Sequence, residues 1–161
     1  MSRLFGTDGV RGKAGTYPLD APTVRRLGAA LARALALDFA LAKGDGRPRF
    51  LSGRDTRESG AWIERELAFG INSQDASLTG AGIIPTPAIA YLTPRMGYSA
   101  GVVISASHNP FEDNGIKVFS GAGEKSHLAG ALPHFLASSP SQCTPGGPSY
   151  SSLAAGANPG R

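Results

Sequence analysis

The strongest helical signal in the chain is an apolar stripe at Val24, Leu27, Leu31 and Leu35, spaced by threes and fours. It predicts a helix from about Ala21 to Ala42, with Asp20 as N-cap, Pro22 in the first turn and Lys43-Gly44-Asp45-Gly46 as the stop. Arg25, Arg26 and Arg33 fall off that stripe and read as solvated. Arg49-Phe50-Leu51-Ser52 reads as a short strand, and Ala61 to Phe69 as a second helix that buries Trp62, Ile63 and Leu67 and stops at Gly70. Thr86 and Pro87 are placed as N-cap and N1 of a third, short helix. The continuous apolar run Gly101-Val102-Val103-Ile104 is expected to be a buried strand. A turn signal at Asp113-Asn114-Gly115 then leads into a strand at Ile116-Lys117-Val118-Phe119. The weak point is Gln74 to Ala81: alternation of helix and strand requires a strand there, but the residues are small and polar, with low strand preference.

Composition narrows the class of protein. A single cysteine, Cys143, rules out an intrachain disulfide and a cysteine-built metal site. No window approaches the ~18 to 20 apolar residues of a membrane span, and the first residues lack the apolar core of a signal peptide, so a cytoplasmic protein without membrane contact is expected. The formal charge of +4 is scattered, with no basic run interleaved with aromatics, so no nucleic-acid partner is expected. From Ser126 to Gly160 there is no Lys, Arg, Asp or Glu, and the last 24 residues hold six Ser, four Pro and four Gly. The chain is therefore divided into a domain at 1–125 and a tail at 126–161, read as disordered or as the product of a shifted reading frame. His127 and His134 in that tail lack the acids or cysteines of a metal site.

Three segments carry candidate chemistry. The loop Ser105-Ala106-Ser107-His108-Asn109-Pro110 follows the buried strand at its carboxyl end, where open α/β sheets place ligands. Ser107 is a potential nucleophile or phosphate carrier, His108 a potential proton handler and Lys117 a compact charge for an anion. Leu4-Phe5-Gly6-Thr7-Asp8-Gly9-Val10-Arg11-Gly12 is a glycine-rich segment that can offer N–H groups to an anion, with Arg11 as a planar fork for phosphate oxygens. Gly53-Arg54-Asp55-Thr56-Arg57-Glu58-Ser59-Gly60 mixes arginines and acids, in the manner of a self-neutralising turn.

The string Ser105 to Pro110, followed by Asp113-Asn114-Gly115-Ile116-Lys117, resembles the catalytic loop of the α-D-phosphohexomutases. Phe5 to Gly12 is similar to the opening signature of the branch of that family acting on glucosamine phosphates. The resemblance implies an α/β fold, a three-layer mixed sheet with helices on both faces, and the first of four domains around one cleft. It implies that Ser107 is phosphorylated and, as phosphoserine, contributes one ligand to Mg2+. Arg11, His108 and Lys117 would act with it, and Thr7, Asp8, Arg54, Asp55, Arg57, Asn109 and Asn114 would support the site from behind. Arg54 stands where the family more typically has lysine. The implied partners are a phosphorylated amino sugar and glucosamine 1,6-bisphosphate, in the interconversion of glucosamine 6-phosphate and glucosamine 1-phosphate on the way to UDP-N-acetylglucosamine. The aspartates that hold the metal would lie in the other domains, and no Asp-x-Asp-x-Asp occurs in this chain. Two further readings remain: a phosphomannomutase or phosphoglucomutase, and an inactive truncated phosphate-binding module.

Overall fold

The structure is a computed structural model that describes residues 9–41, 46–126 and 151–152. In chain order it runs β1 (Val10–Lys13), α1 (Ala21–Leu41), β2 (Arg49–Arg54), α2 (Glu58–Asn72), β3 (Ser77–Ile83), α3 (Thr86–Arg95), β4 (Ala100–Ile104), β5 (Asp113–Ser120) and β6 (Ser151–Ser152). The strands form one sheet in the order β1-β5-β4-β2-β3-β6. β4, β2, β3 and β6 run parallel, while β5 is antiparallel to both β4 and β1. The expected mixed sheet with helices on both faces is what forms.

The layers follow from strand alternation. Phe50, Ala100, Val102, Ile104, Ile116 and Val118 point to one face and meet Leu27, Leu31, Ile63 and Leu67 of α1 and α2. Leu51, Val103 and Phe119 point to the other face and meet Ile89 and Tyr98, on and just beyond α3. Asp20 caps α1 as expected, its Oδ1 accepting from the Thr23 N–H at 3.0 Å.

Several boundaries depart from expectation for identifiable reasons. Gly70 does not stop α2; it lies inside it, where a Cβ would sit 2.0 Å from the Arg25 carbonyl oxygen. Gly28 of α1 meets the Leu67 carbonyl in the same way at 2.4 Å, so the pair lets two helix backbones touch. Gly70→Ala is accordingly expected to cost about 1–3 kcal/mol by overpacking, a fall in Tm of roughly 3–10 °C in a thermal melt. Gly46→Ala, which meets nothing within 4 Å, is the unchanged control.

The weak stretch does form a strand, β3, but from Ser77, with Leu78 buried as its apolar anchor and pairing to β2 in parallel register. Small residues suffice because tertiary pairing, not intrinsic preference, decides strand formation. α3 starts with Thr86 already helical and Pro85 as cap, one residue earlier than placed. Asp113-Asn114-Gly115 is not a turn but the start of β5, because the chain reverses earlier, around Phe111 and Glu112. Ser126, the last residue of the continuous segment, donates its N–H to the Val118 carbonyl at 3.0 Å. Of the expected tail only Ser151 and Ser152 are described beyond it, paired with Thr79 and Gly80. His127, His134, Cys143 and the expectation of disorder lie outside the described residues.

Candidate active site

The site is built where β4 ends. Ile104 is fully buried, and the chain leaves the sheet through Ser105 and Ala106 before exposing Ser107 and His108. The Ser107 N–H donates to Ser105 Oγ at 3.1 Å, and the Asn109 N–H to the Ala106 carbonyl at 3.2 Å, which closes a tight turn. Within it Ser107 has φ +57°, the left-handed region, at a cost of about 1–2 kcal/mol for a residue with a Cβ. Strain of this kind gathers where a side chain must be aimed.

The aim is at Lys117. Its Nζ donates to Ser107 Oγ at 3.1 Å, across the β4–β5 pair. Lys117 is opposite Val103 and so shares the face that carries α3. Arg11, on β1, stands opposite Gly115, so it occupies the same face one diagonal step from Lys117. Gly115 makes this possible: a Cβ there would come within 3.1 Å of Arg11 Cγ and 2.9 Å of the Ser105 carbonyl. β1 and β5 thus bring a guanidinium and an ammonium to the face onto which the Ser107 hydroxyl opens.

The loop is held from behind by Arg57. Its Nη1 donates to the carbonyls of Pro110 and Asp113, and its Nη2 to those of Ser107 and Asn109, at 2.5, 3.0, 3.0 and 2.8 Å. Asp55 fixes the guanidinium in turn: Oδ2 accepts from Arg57 Nε and Oδ1 from the Arg57 N–H, each at 3.1 Å. Asn109 Nδ2 donates to Asp113 Oδ2 at 3.1 Å, tying the loop's two ends together. Asn114, fully buried, donates to Ser59 Oγ at 2.9 Å and accepts from the Gly115 N–H at 2.8 Å, pinning the start of β5 to the first turn of α2.

Arg54 points elsewhere. Its Nε lies 3.4 Å from Glu64 Oε2, and Glu64 Oε1 accepts from Ser52 Oγ at 2.6 Å, so the partly exposed Arg54 pairs with a buried acid at the sheet end. Glu64 escaped the sequence reading, although a signal was present: an acid on the Gly60, Glu64, Leu67, Ile71 stripe of α2 is a buried acid in need of a partner. Ser59 and Asp113 escaped it too, because their partners are distant in sequence. Thr7 and Asp8 lie outside the described residues. An open cavity of about 840 Å³ takes in Ser107 together with Lys13, Asp55, Trp62, Asn109 and Phe111; Arg11, His108 and Lys117 are not part of its lining. Ser107 therefore sits on a rim between that cavity and the cationic face.

Among the described residues no three His, Cys, Asp or Glu side chains cluster as a metal site. No described helix is long and apolar enough to cross a membrane.

The fold and the site define an α/β domain that presents an exposed serine, faced by a lysine, on the loop after a central parallel strand. The chain belongs to the phosphoglucomutase/phosphomannomutase family, whose α/β/α domain I matches residues 2–128. Among curated proteins it is similar to the phosphoglucosamine mutases of Koribacter versatilis, 53% identical over 125 residues, and of Solibacter usitatus, 53% identical over 122. These matches cover 78% and 76% of this chain and 26% of each relative, so the chain spans about a quarter of their length. Among solved structures, a Thermus thermophilus protein assigned as a phosphomannomutase aligns with TM-score 0.75 and 26% identity, over 92% of this chain and 32% of that one.

Proposed function

We propose that this domain carries the phosphoryl group of an amino-sugar phosphate mutase, exchanging glucosamine 6-phosphate and glucosamine 1-phosphate. The observation that carries the reading is the 3.1 Å contact between Lys117 Nζ and the hydroxyl of a left-handed, exposed Ser107. Phosphorylated Ser107 gives its phosphoryl to the sugar O1: the bond from Ser107 Oγ to phosphorus breaks, the bond from O1 forms, and the product is glucosamine 1,6-bisphosphate. The bisphosphate turns over, and Ser107 Oγ takes the 6-phosphoryl back. In each half the attacking hydroxyl loses a proton and the departing oxygen gains one; exposed His108, adjacent to Ser107, is the group proposed to move them. A phosphoserine brings about −1.5 to −2 charges, and Lys117 and Arg11 are proposed to neutralise its oxygens as the group transfers. Asp55, Arg57, Asn109 and Asn114 support this arrangement through the loop they hold, while Arg54 pairs with Glu64 away from it.

The Mg2+ implied by the family resemblance does not fit the residues of this chain alone. The described part has no cluster of acids at Ser107, and the cation beside the hydroxyl is the Lys117 ammonium. Phosphorylated Ser107 would supply one ligand, and the aspartates would have to come from sequence beyond this chain. When bound, such an ion would add charge neutralisation at the transferring group.

The amino sugar is preferred over mannose or glucose because the curated relatives at 47–53% identity carry the name phosphoglucosamine mutase. The proposed place is cytoplasmic supply of glucosamine 1-phosphate for UDP-N-acetylglucosamine and cell-wall precursors. The test is to replace the matching first quarter of the Koribacter versatilis enzyme with residues 1–126 of this chain. The graft is expected to interconvert the two glucosamine phosphates, and a folded but inactive graft overturns the reading. Lys117→Met in the graft should lower kcat by about 10²–10³-fold with KM little changed; an unaltered kcat removes Lys117 from the chemistry.

A further inference from the structure

We propose that Arg57 is the positioning residue of the phosphoryl-carrying loop: its planar fork gathers four backbone carbonyls and thereby holds Ser107 in the left-handed turn that faces Lys117. This rests on the reading of Ser107 as the carrier, but the geometry behind it is independent of any substrate.

The carbonyls of Ser107, Asn109, Pro110 and Asp113 all point to one guanidinium. They come from both ends and the middle of the loop, so one side chain sets its whole path. The guanidinium is itself fixed, because Nε and the Arg57 backbone N–H are both held by Asp55 and only 12% of its side chain is exposed. Its donors, Nε, Nη1 and Nη2, are thus committed to backbone and to Asp55, and Arg57 supports the phosphate site by shaping the loop.

A second consequence is electrostatic. A phosphoserine at position 107 would sit beside the negative ends of its own loop's carbonyl dipoles. Arg57 meets four of those oxygens with its positive charge, and the Ser107 side chain faces Lys117. The cation works on the phosphate indirectly, by removing what would oppose it.

This makes geometry, not charge, the quantity that matters. A lysine keeps the charge but cannot span four carbonyls with one point donor group. The experiment is NMR and amide hydrogen exchange on the 161-residue chain, as wild type, Arg57→Lys, Arg57→Ala and Asp55→Asn. Arg57→Lys is expected to speed exchange of the Asn109 and Asp113 amides by about tenfold or more, nearly as much as Arg57→Ala, while the β4 amides of Val102 to Ile104 hold. The HN–Hα coupling of Ser107 should leave its left-handed value, and its contact to Lys117 should vanish. Millimolar guanidinium added to Arg57→Ala should restore part of the protection. Asp55→Asn, which leaves the arginine in place but loosens its aim, should give a smaller loss of the same kind, and it decides the matter if the Arg57 variants do not fold. Protection and Ser107 coupling unchanged in Arg57→Lys would overturn the proposal. Intact-mass analysis of the Koribacter versatilis graft after incubation with glucosamine 1,6-bisphosphate and Mg2+ reports on the carrier reading separately: a graft whose Ser107 stays unmodified, beside a loop that responds to Arg57, tells against the carrier and not against the clip.

Discussion

Ser107→Ala should remove all phosphoryl incorporation from the grafted enzyme and cut its turnover by at least about 10⁴-fold, the scale on which losing a nucleophile acts. The wild-type graft is expected to carry one added phosphoryl, an increment of ~80 Da, and the variant none. The loss should not come from unfolding. Ser107 is exposed, the substitution keeps a Cβ at the same backbone angles, and the Ser107 N–H to Ser105 Oγ bond does not involve the side chain removed. Stability should thus stay within about 1 kcal/mol, which a melt run in parallel checks. If a phosphoryl group persists in Ser107→Ala, Ser105 is the first alternative. Its position argues against it: Ser105 is 8% exposed, and its Oγ is already engaged by the Ser107 N–H. Persistence at Ser105 would require the loop to rearrange, and would overturn the assignment of Lys117 together with that of Ser107.

What sequence can foresee here divides along a physical line. The α1 stripe, the β4 run and the loop after β4 are legible because their signal is local: side-chain period and one contiguous string. Gly70 misleads because a glycine that ends a helix and one that admits a neighbouring backbone look identical in one dimension; only the Arg25 carbonyl 2.0 Å from its would-be Cβ separates the two. Asp113-Asn114-Gly115 misleads for a related reason. Asn and Gly favour turns when nothing else holds them, but Asn114 is held by Ser59, 55 positions away, and Asp113 by the Arg57 guanidinium. The Arg57 segment reads as a self-neutralising turn, and half of that is right, since Asp55 does pair with Arg57. The other half, four carbonyls from a loop some 50 to 56 residues later, is a tertiary fact with no local trace. The face shared by Arg11 and Lys117 is intermediate: each stands out from composition and resemblance, but their diagonal register depends on β1 pairing antiparallel to β5.

The second large effect concerns the chain by itself. It is expected to fold and to show no turnover of glucosamine 6-phosphate, even with Mg2+ and a bisphosphate primer, in an assay that detects the graft easily. The chain matches about a quarter of each curated relative, and what it contributes to the site is a carrier, two cations on one sheet face and a loop support. Transferring a phosphoryl between two sugar oxygens asks for more: the substrate's own phosphate must be held while the sugar turns, and charge on the moving group must be met from several sides. Each preorganised partner missing from such a site costs about 10²–10³-fold. Three missing together multiply to roughly 10⁶ or beyond, below detection for an enzyme of ordinary turnover. Ser107 is also on an open rim, so water competes for any phosphoryl it carries. The outcome that would overthrow this is clear turnover by the isolated chain that is lost in Ser107→Ala. That result would mean that Lys117, Arg11 and His108 complete the site unaided, and that the remaining three-quarters of its relatives serve specificity more than chemistry.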